Sequence, residues 1–216
     1  MSAVSMKDRP TTRIKCCGMT RLQDALLATQ LGADAIGLVF TARSRRRVAL
    51  SQASKIRQAL PPFITTVALF MDDDATLVHE VIREVQPELL QFHGQEDDAW
   101  CAQFGQRYIK AIAMGEGSAG ESRQHDYPQA AALLLDGHGL GEAGGSGRAF
   151  DWSRLPSDMS QPLILAGGLT ADNVVEAIRL ARPWAVDVAS GIEISPGIKD
   201  AAKMAAFIAA VRTCAP

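Results

Sequence analysis

The sequence has 216 residues, of which 47% are hydrophobic, and its formal net charge at pH 7 is −2. This is enough to bury a full hydrophobic core, as one large domain or two small ones. The nearly balanced charge argues against a nucleic acid or an acidic membrane surface as the partner.

The N-terminal residues and the cysteines indicate the compartment in which the protein acts. Residues 1–12 are polar and lack the apolar segment of a secretory signal, and no apolar run is long enough to span a bilayer. None of the four cysteines has C-x-x-C metal spacing, and free thiols suit a reducing cytosol. We therefore predict a cytoplasmic protein with a flexible segment at 1–12 and no membrane partner.

Apolar, β-compatible runs alternate with segments of helical spacing along the chain. The eight predicted strands are 13–17, 34–40, 63–70, 88–93, 108–114, 131–136, 162–167 and 184–190. The clearest helical patterns lie at 21–33, 74–85, 173–181 and 200–212. Continuously apolar strands between helices indicate a parallel sheet that is covered by helices.

Eight strands in about two hundred residues fit an α/β protein with a single-domain (β/α)8 barrel, or TIM barrel, over residues 13–216. The alternative is an open doubly wound sheet, which usually needs fewer strands at this length. The weakest unit follows the sixth strand, because 137–149 is rich in glycine and has no helical pattern.

The first strand carries two adjacent cysteines with different expected roles. Side chains alternate along a strand, so Lys15 and Cys17 share one face and Cys16 takes the other. A buried lysine needs an anion, either a carboxylate or a ligand phosphate. Cys17 would then lie at the rim beside a positive charge that favours its thiolate, while Cys16 packs against the helices. Two ordinary buried thiols are the alternative.

Asp136 ends the sixth strand, and a glycine-rich loop follows it. A carboxylate in this position is a candidate general acid, with a simple loop cap as the alternative. Within the loop, 139–144 matches the G-x-G-x-x-G pattern of dinucleotide sites. That motif must open a helix, and this segment runs into more glycines, so we expect a lid or a substrate-binding loop.

Glycine turns follow the last two strands, at Gly167-Gly168 and at Ser190-Gly191. Backbone N–H groups in such turns can hold a phosphate, and barrels often bind phosphate after strands seven and eight. Tight turns that need glycine only for positive φ are the alternative. We also expect Thr170 to cap the helix that follows these glycines.

Two further strand ends carry polar candidates. The basic run 42–48 follows the second strand, where one arginine could bind a carboxylate through two hydrogen bonds. Of the four histidines, only His93 lies at a strand end. The sequence contains no cluster of metal ligands, so metal-dependent chemistry is disfavoured.

Seven motifs in order resemble the phosphoribosylanthranilate isomerase family, from about residue 13 to residue 200. They are IKCCGMT, GLVFTARSRRRV, LLQFHGQE, LLLD, GGSGRAFDW, LAGGLTADNV and VDVASGIEISPGIKD. The departures are modest: Cys16 replaces the usual aliphatic residue, and Phe92 replaces the usual leucine before His93.

The resemblance implies an Amadori rearrangement of N-(5′-phosphoribosyl)anthranilate in tryptophan biosynthesis, without a cofactor. It makes Cys17 the general base and Asp136 the general acid. It also implies that Arg46 binds the anthranilate carboxylate, although Arg45 and Arg47 are close enough in sequence to be alternatives.

The remaining site residues follow from the same resemblance. Those expected at the substrate are Lys15, His93 and Asp187, and those expected at the phosphate are Gly167, Gly168, Ser190 and Gly191. The expected partner is one small phosphorylated substrate, no metal is expected, and the chain would act as a monomer or a homodimer.

Two other functions compete with this one. A different phosphate-binding barrel enzyme, such as a pentose-phosphate epimerase or a thiamin-phosphate synthase, is the first. A metal-dependent epimerase would need ligands at several strand ends, where only His93 and Asp136 qualify. The second is a barrel that only binds a phosphorylated ligand, which has no use for a cysteine and an aspartate together at the rim.

Overall fold

The computed structural model describes residues 11–114, 124–137 and 161–214. Eight parallel strands form a closed barrel in chain order. They are β1 (Arg13–Cys16), β2 (Ala35–Val39), β3 (Thr65–Phe70), β4 (Leu89–Phe92), β5 (Tyr108–Ala113), β6 (Ala132–Asp136), β7 (Leu163–Leu165) and β8 (Ala185–Val188). The predicted (β/α)8 barrel is confirmed, and the open sheet is excluded because β1 pairs with β8.

Helices surround the barrel. They are α1 (Leu22–Leu31), α2 (Leu50–Ala59), α3 (Ala75–Val85), α4 (Asp98–Ala102), α5 (Val174–Ala181) and α6 (Ala201–Arg212). Each of the four predicted helical segments contains one of these helices. None of the helices in the described ranges has both the length and the apolar character that crossing a membrane requires. The predictions for residues 1–10 and for the loop 138–149 fall outside the described residues.

The alternation of side chains along the strands creates two apolar layers. Outward-facing residues such as Ile14, Cys16 and Leu38 pack with the helices. Inward-facing residues such as Val67 and Leu134 fill the barrel interior. Cys16 is fully buried in the outer layer, which is the packing position that the alternation predicts.

A small hairpin that the sequence patterns did not indicate follows β8. It consists of a 3-10 turn at Ser190–Ile192 and two short antiparallel strands, β9 (Glu193–Ser195) and β10 (Ile198–Lys199). The hydroxyl of Thr20 donates a hydrogen bond to the Gly197 carbonyl, so the hairpin rests on the loop after β1. Residues from the two ends of the barrel sequence thereby meet.

Asp34 ties the chain together at the opposite, N-terminal end of the strands. Its carboxylate accepts hydrogen bonds from the Ile14 N–H at 2.9 Å, from Arg13 at 2.7 Å and from Arg212 at 3.0 Å. Partial burial alone would raise the pKa of Asp34, but these three donors outweigh it and hold that pKa below its ordinary value. The ionised carboxylate therefore stabilises the folded state.

We expect Asp34→Asn to lower the free energy of unfolding at pH 7 by about 1–3 kcal/mol, because charge-assisted hydrogen bonds are lost. A lowered pKa contributes stability above the ordinary aspartate pKa, and this stability is lost as the pH falls through the lowered value. Urea unfolding of both proteins should therefore show a difference that shrinks on acidification. Glu84→Gln, in an exposed pair with Arg83, is the control and should change little. A pH-independent difference for Asp34→Asn would contradict this account.

Candidate active site

A cavity at the C-terminal ends of the strands brings together five of the predicted site residues. Its predicted members are Cys17, Arg46, His93, Asp136 and Asp187. Six further lining residues were missed by the sequence patterns: Val39, Thr41, Ser44, Leu69, Met71 and Ala189. All six are at or just beyond the ends of β2, β3 and β8, which is the one signal that could have indicated them.

Cys17 lies directly after β1 and is 5% exposed. Its N–H donates to the Val188 carbonyl at 2.8 Å, so the pairing of β1 with β8 continues to this residue. The neighbouring strand makes room for the thiol at Gly37, because a Cβ on Gly37 would lie 2.7 Å from the Cys17 Sγ. Cys17 is thus held in a tight pocket between β2 and β8.

Lys15 lies one layer below Cys17, and the anion that it binds in the structure is a protein carboxylate. The register of β1 and β8 places it opposite Asp187, and its Nζ is 2.9 Å from Asp187 Oδ2. Both side chains are less than 10% exposed. Burial alone would lower the pKa of Lys15, but Asp187 and Cys17 outweigh it and hold that pKa above its ordinary value.

The charge of Lys15 favours the thiolate of Cys17, as the shared strand face predicts, but burial opposes it more strongly. Burial raises the pKa of Cys17, and the attraction of Lys15 and Lys199 does not compensate for it, while Asp187 raises it further. The pKa of Cys17 therefore lies above the ordinary thiol value. Cys17 is a buried thiol at neutral pH rather than an ionised group at an open rim.

Asp136 and His93 lie next to each other in the wall of the cavity. Asp136 is the last residue of β6 and is 5% exposed. Nε2 of His93 lies 3.6 Å from Oδ2 of Asp136, and Nδ1 of His93 lies 3.1 Å from the Gln91 side-chain nitrogen. A carboxylate held near a histidine at a strand end is suitably placed for proton transfer to a bound molecule.

Arg46 is the arginine of the basic run that lines the cavity, whereas Arg45 and Arg47 are exposed to solvent. Its Nε and Nη2 donate to both carboxylate oxygens of Glu193, at 2.8–3.2 Å. The expected two-bond grip is therefore already made to a protein carboxylate. Within the described residues, Nη1 makes no hydrogen bond, so the outer edge of the guanidinium is the part left for a ligand.

The glycine turns after β7 and β8 line a second cavity. Its members include Gly167, Gly168 and Ser190, together with Asp136 and Asp187, which also line the first cavity. The two cavities therefore adjoin. Gly167 and Gly168 both have positive φ, at 85° and 64°.

Two further observations concern the surroundings of the expected phosphate site. Gly191 packs against protein, because a Cβ there would lie 2.0 Å from the Leu169 carbonyl oxygen. The prediction that Thr170 caps the next helix is wrong, since α5 begins at Val174 and Asn173 is its N-cap. Asn173 instead accepts from the Thr170 N–H and donates to the Gly168 carbonyl, which fixes the glycine turn.

Metal ligands do not cluster in residues 11–114, 124–137 and 161–214: no three His, Cys, Asp or Glu side chains there are grouped to hold an ion.

A closed barrel with a cavity of ionisable side chains at the C-terminal ends of its strands places this protein among the (β/α)8-barrel enzymes. The sequence model described as N-(5′phosphoribosyl)anthranilate (PRA) isomerase matches residues 14–210. The chain belongs to the N-(5′-phosphoribosyl)anthranilate isomerase family, which confirms the resemblance of its motifs.

Individual relatives agree with this assignment. The N-(5′-phosphoribosyl)anthranilate isomerase of Xanthomonas campestris pv. campestris is 51% identical over 207 residues, covering 93% of each chain. The crystal structure of the Thermotoga maritima enzyme has a TM-score of 0.87 at 37% identity, covering 94% of this chain and all of that one. A relative solved with reduced 1-(o-carboxyphenylamino)-1-deoxyribulose 5-phosphate has a TM-score of 0.81 at 33% identity, with the same coverage.

We expect Gly37→Ala to destabilise the protein by about 1–3 kcal/mol, because the added methyl group overlaps the Cys17 thiol. In a Cys17→Ala background the same change should cost less by at least about 0.5 kcal/mol, since part of the overlap is gone. Denaturant unfolding of the four proteins in this double-mutant cycle measures both values. Equal costs in the two backgrounds would show that Gly37 is not the space for this thiol.

The thiol of Cys17 should titrate above the ordinary pKa of cysteine. The thiolate absorbs in the ultraviolet, so the difference spectrum between wild type and Cys17→Ser should stay near zero at neutral pH and grow only in alkaline solution. Cys16→Ser should leave this difference unchanged, because burial raises the pKa of Cys16 to about 12. A thiolate signal at pH 7 would contradict the dominance of burial.

Proposed function

We propose that the chain converts N-(5′-phosphoribosyl)anthranilate to 1-(2-carboxyphenylamino)-1-deoxyribulose 5-phosphate by an Amadori rearrangement, with Cys17 as general base and Asp136 as general acid. The observation that carries this proposal is the cavity where Cys17, Asp136 and Arg46 meet beside the glycine-lined cavity. The family assignment supports the same reaction.

The reaction needs two proton transfers and no external electron acceptor. Asp136 donates a proton to the ribose ring oxygen as the C1–O bond breaks, and the anthranilate nitrogen supplies the electron pair of the resulting Schiff base. Cys17, as thiolate, removes the proton from C2. The C–H electrons form a C1=C2 double bond, and the electrons of the C=N bond move onto the nitrogen, which gives an enolamine. Tautomerisation then produces the ketone. The substrate thus serves as its own electron sink, and the protein supplies proton transfer and positioning.

The position of the two groups suits these steps. Cys17 follows β1 and Asp136 ends β6, so they enter the cavity from separate strands of the closed barrel. A base and an acid on separate sides of a bound sugar can reach different atoms. Since the pKa of Cys17 is raised, only a minor fraction is ionised at neutral pH, and this fraction is a strong base once formed.

The remaining lining residues suit the three parts of the substrate. The outer edge of the Arg46 guanidinium would bind the anthranilate carboxylate. The apolar side chains of Val39, Leu69 and Met71 offer a wall for the aromatic ring.

At the other end, the backbone at Gly167-Gly168 and Ser190-Gly191 would bind the phosphate. The relative solved with a reduced carboxyphenylamino-deoxyribulose phosphate supports a ligand of this shape in the same fold.

Three buried residues would act through the two catalytic groups. Lys15 and Asp187 form the ion pair directly below Cys17 and set the electrostatic field there. His93 lies beside Asp136 and would orient its carboxyl group toward the ring oxygen.

The proposal also covers compartment and assembly. All four cysteines are free, which supports a reducing, cytoplasmic compartment. The chain acts as a monomer or a homodimer, two states that sedimentation equilibrium separates. Residues 13–216 would form one catalytic domain after a flexible segment at 1–12.

The first test compares wild type, Cys16→Ser, Cys17→Ser and Asp136→Asn in one fluorescence assay. Phosphoribosylanthranilate made in situ loses its anthranilate-type fluorescence as it is isomerised. We expect Cys17→Ser and Asp136→Asn to lower kcat by roughly 10²–10⁴-fold, because each removes a proton-transfer group. Cys16→Ser is the matched control, since its side chain packs outside the barrel, and it should retain most of the activity.

The alternatives predict other results. A folded wild type without turnover at high enzyme concentration would reject the isomerase reaction. Equal activity of the two cysteine variants would keep the reaction but reject Cys17 as the base. Circular dichroism of each variant establishes that it is folded.

A further inference from the structure

A buried ion pair outside the assigned catalytic set lies behind Cys17. The ammonium group of Lys199 is completely buried and sits 2.8 Å from Glu193 Oε1. It also donates to the Cys17 carbonyl at 2.6 Å and to the Ala189 carbonyl at 3.1 Å. These three bonds use the whole donor capacity of an ammonium group.

Each acceptor of Lys199 belongs to a different part of the site. Cys17 is the proposed base at the end of β1. Ala189 lines both cavities and precedes the Ser190 turn of the proposed phosphate site. Glu193 binds the Arg46 guanidinium with its carboxylate, so the contacts of Lys199 extend to the proposed substrate clamp.

Glu193 is ionised for a clear physical reason. Burial alone would raise its pKa, but hydrogen bonds from Arg46 and the charge of Lys199 outweigh it and hold the pKa of Glu193 below its ordinary value. Its Oε1 also accepts from the Gly197 N–H at 3.1 Å. The Glu193 carboxylate is therefore shared by two cations, Arg46 and Lys199, and a backbone donor. If the carboxylate moved away from either cation, that cation would become a buried unpaired charge.

We propose that Lys199 is a positioning residue, which holds Cys17, the loop after β8 and, through Glu193, the Arg46 guanidinium in one rigid frame. The roles of Cys17 and Arg46 in this frame rest on the proposed function; the contacts of Lys199 do not. A backbone carbonyl fixed by a buried ammonium restricts the rotation of the Cys17 backbone, which keeps the thiol directed at one substrate atom.

Lys199 also contributes charge near the thiol. The charged groups that act on Cys17 directly come from four elements: Lys15 on β1, Arg46 after β2, Asp187 on β8 and Lys199 on β10. Glu193 on β9 lies behind Arg46 and Lys199. His93 and Asp136 lie across the cavity from Cys17. Loss of the Lys199 cation should therefore disfavour the thiolate of Cys17.

The test uses Lys199→Met, which keeps the unbranched stem of the side chain and removes the ammonium group. The Cys17 titration is read as the ultraviolet difference against the same protein carrying Cys17→Ser. We expect the titration midpoint to rise by roughly one pH unit. In the isomerase assay kcat should fall about 10- to 100-fold, because the base is misplaced, while KM changes less. Glu193→Gln should instead mainly raise KM, since it releases Arg46.

The matched control is Lys110→Met, which removes another buried lysine with the same kind of contacts. Lys110 Nζ binds Glu96 at 2.8 Å and the Gly94 carbonyl at 2.7 Å, on the far side of the barrel. The Lys110→Met protein should lose stability as Lys199→Met does, but the midpoint of its Cys17 titration should stay at the wild-type value. If Lys199→Met does not fold, Lys199→Gln gives the same reading, because the amide keeps donors and lacks the charge.

Two results would overturn the proposal. One is an unchanged midpoint and kcat in a folded Lys199 variant, and the other is an equal shift in Lys110→Met, which would make the effect a general loss of stability. The titration needs no substrate, so it tests the coupling between Lys199 and Cys17 even if wild type proves inactive in the isomerase assay.

Discussion

The pairing of β1 with β8 is the constraint on which the rest of this structure depends. It closes the barrel, and its register places Lys15 opposite Asp187 in the buried interior, where each charge needs the other. Cys17 continues the same pairing through its N–H to Val188. The contact that completes the fold therefore also sets the position of the proposed base.

Two ion pairs flank Cys17, and their balance explains its chemistry. Lys15 is neutralised by Asp187 and Lys199 by Glu193, so neither lysine acts on the thiol as an isolated positive charge. Burial then dominates and raises the pKa of Cys17. The geometry thus favours a positioned thiol, which in the proposed mechanism is a strong base once ionised, over a permanently ionised nucleophile.

Much of the fold and of the site could be predicted from local sequence. The apolar runs predicted all eight strands, although each observed strand is slightly shorter than its prediction. The alternation of side chains assigned Cys17 to the interior and Cys16 to the outer layer, because that period is a local property of the strand. Polar residues at or after strand ends predicted Cys17, Arg46, His93 and Asp136 in the cavity, since parallel strands in a barrel all end on the same face.

The sequence alone determined the barrel, its family and the residue types at its mouth, because periodicity and short motifs depend only on neighbouring residues. The tertiary structure decided what those residues bind. Lys199 reaches the Cys17 carbonyl across 182 positions of sequence, and Glu193 takes the inner edge of Arg46 across 147. Partners so distant, and the burial that sets the thiol pKa, arise only when β8 closes on β1 and the following hairpin folds back over that closure.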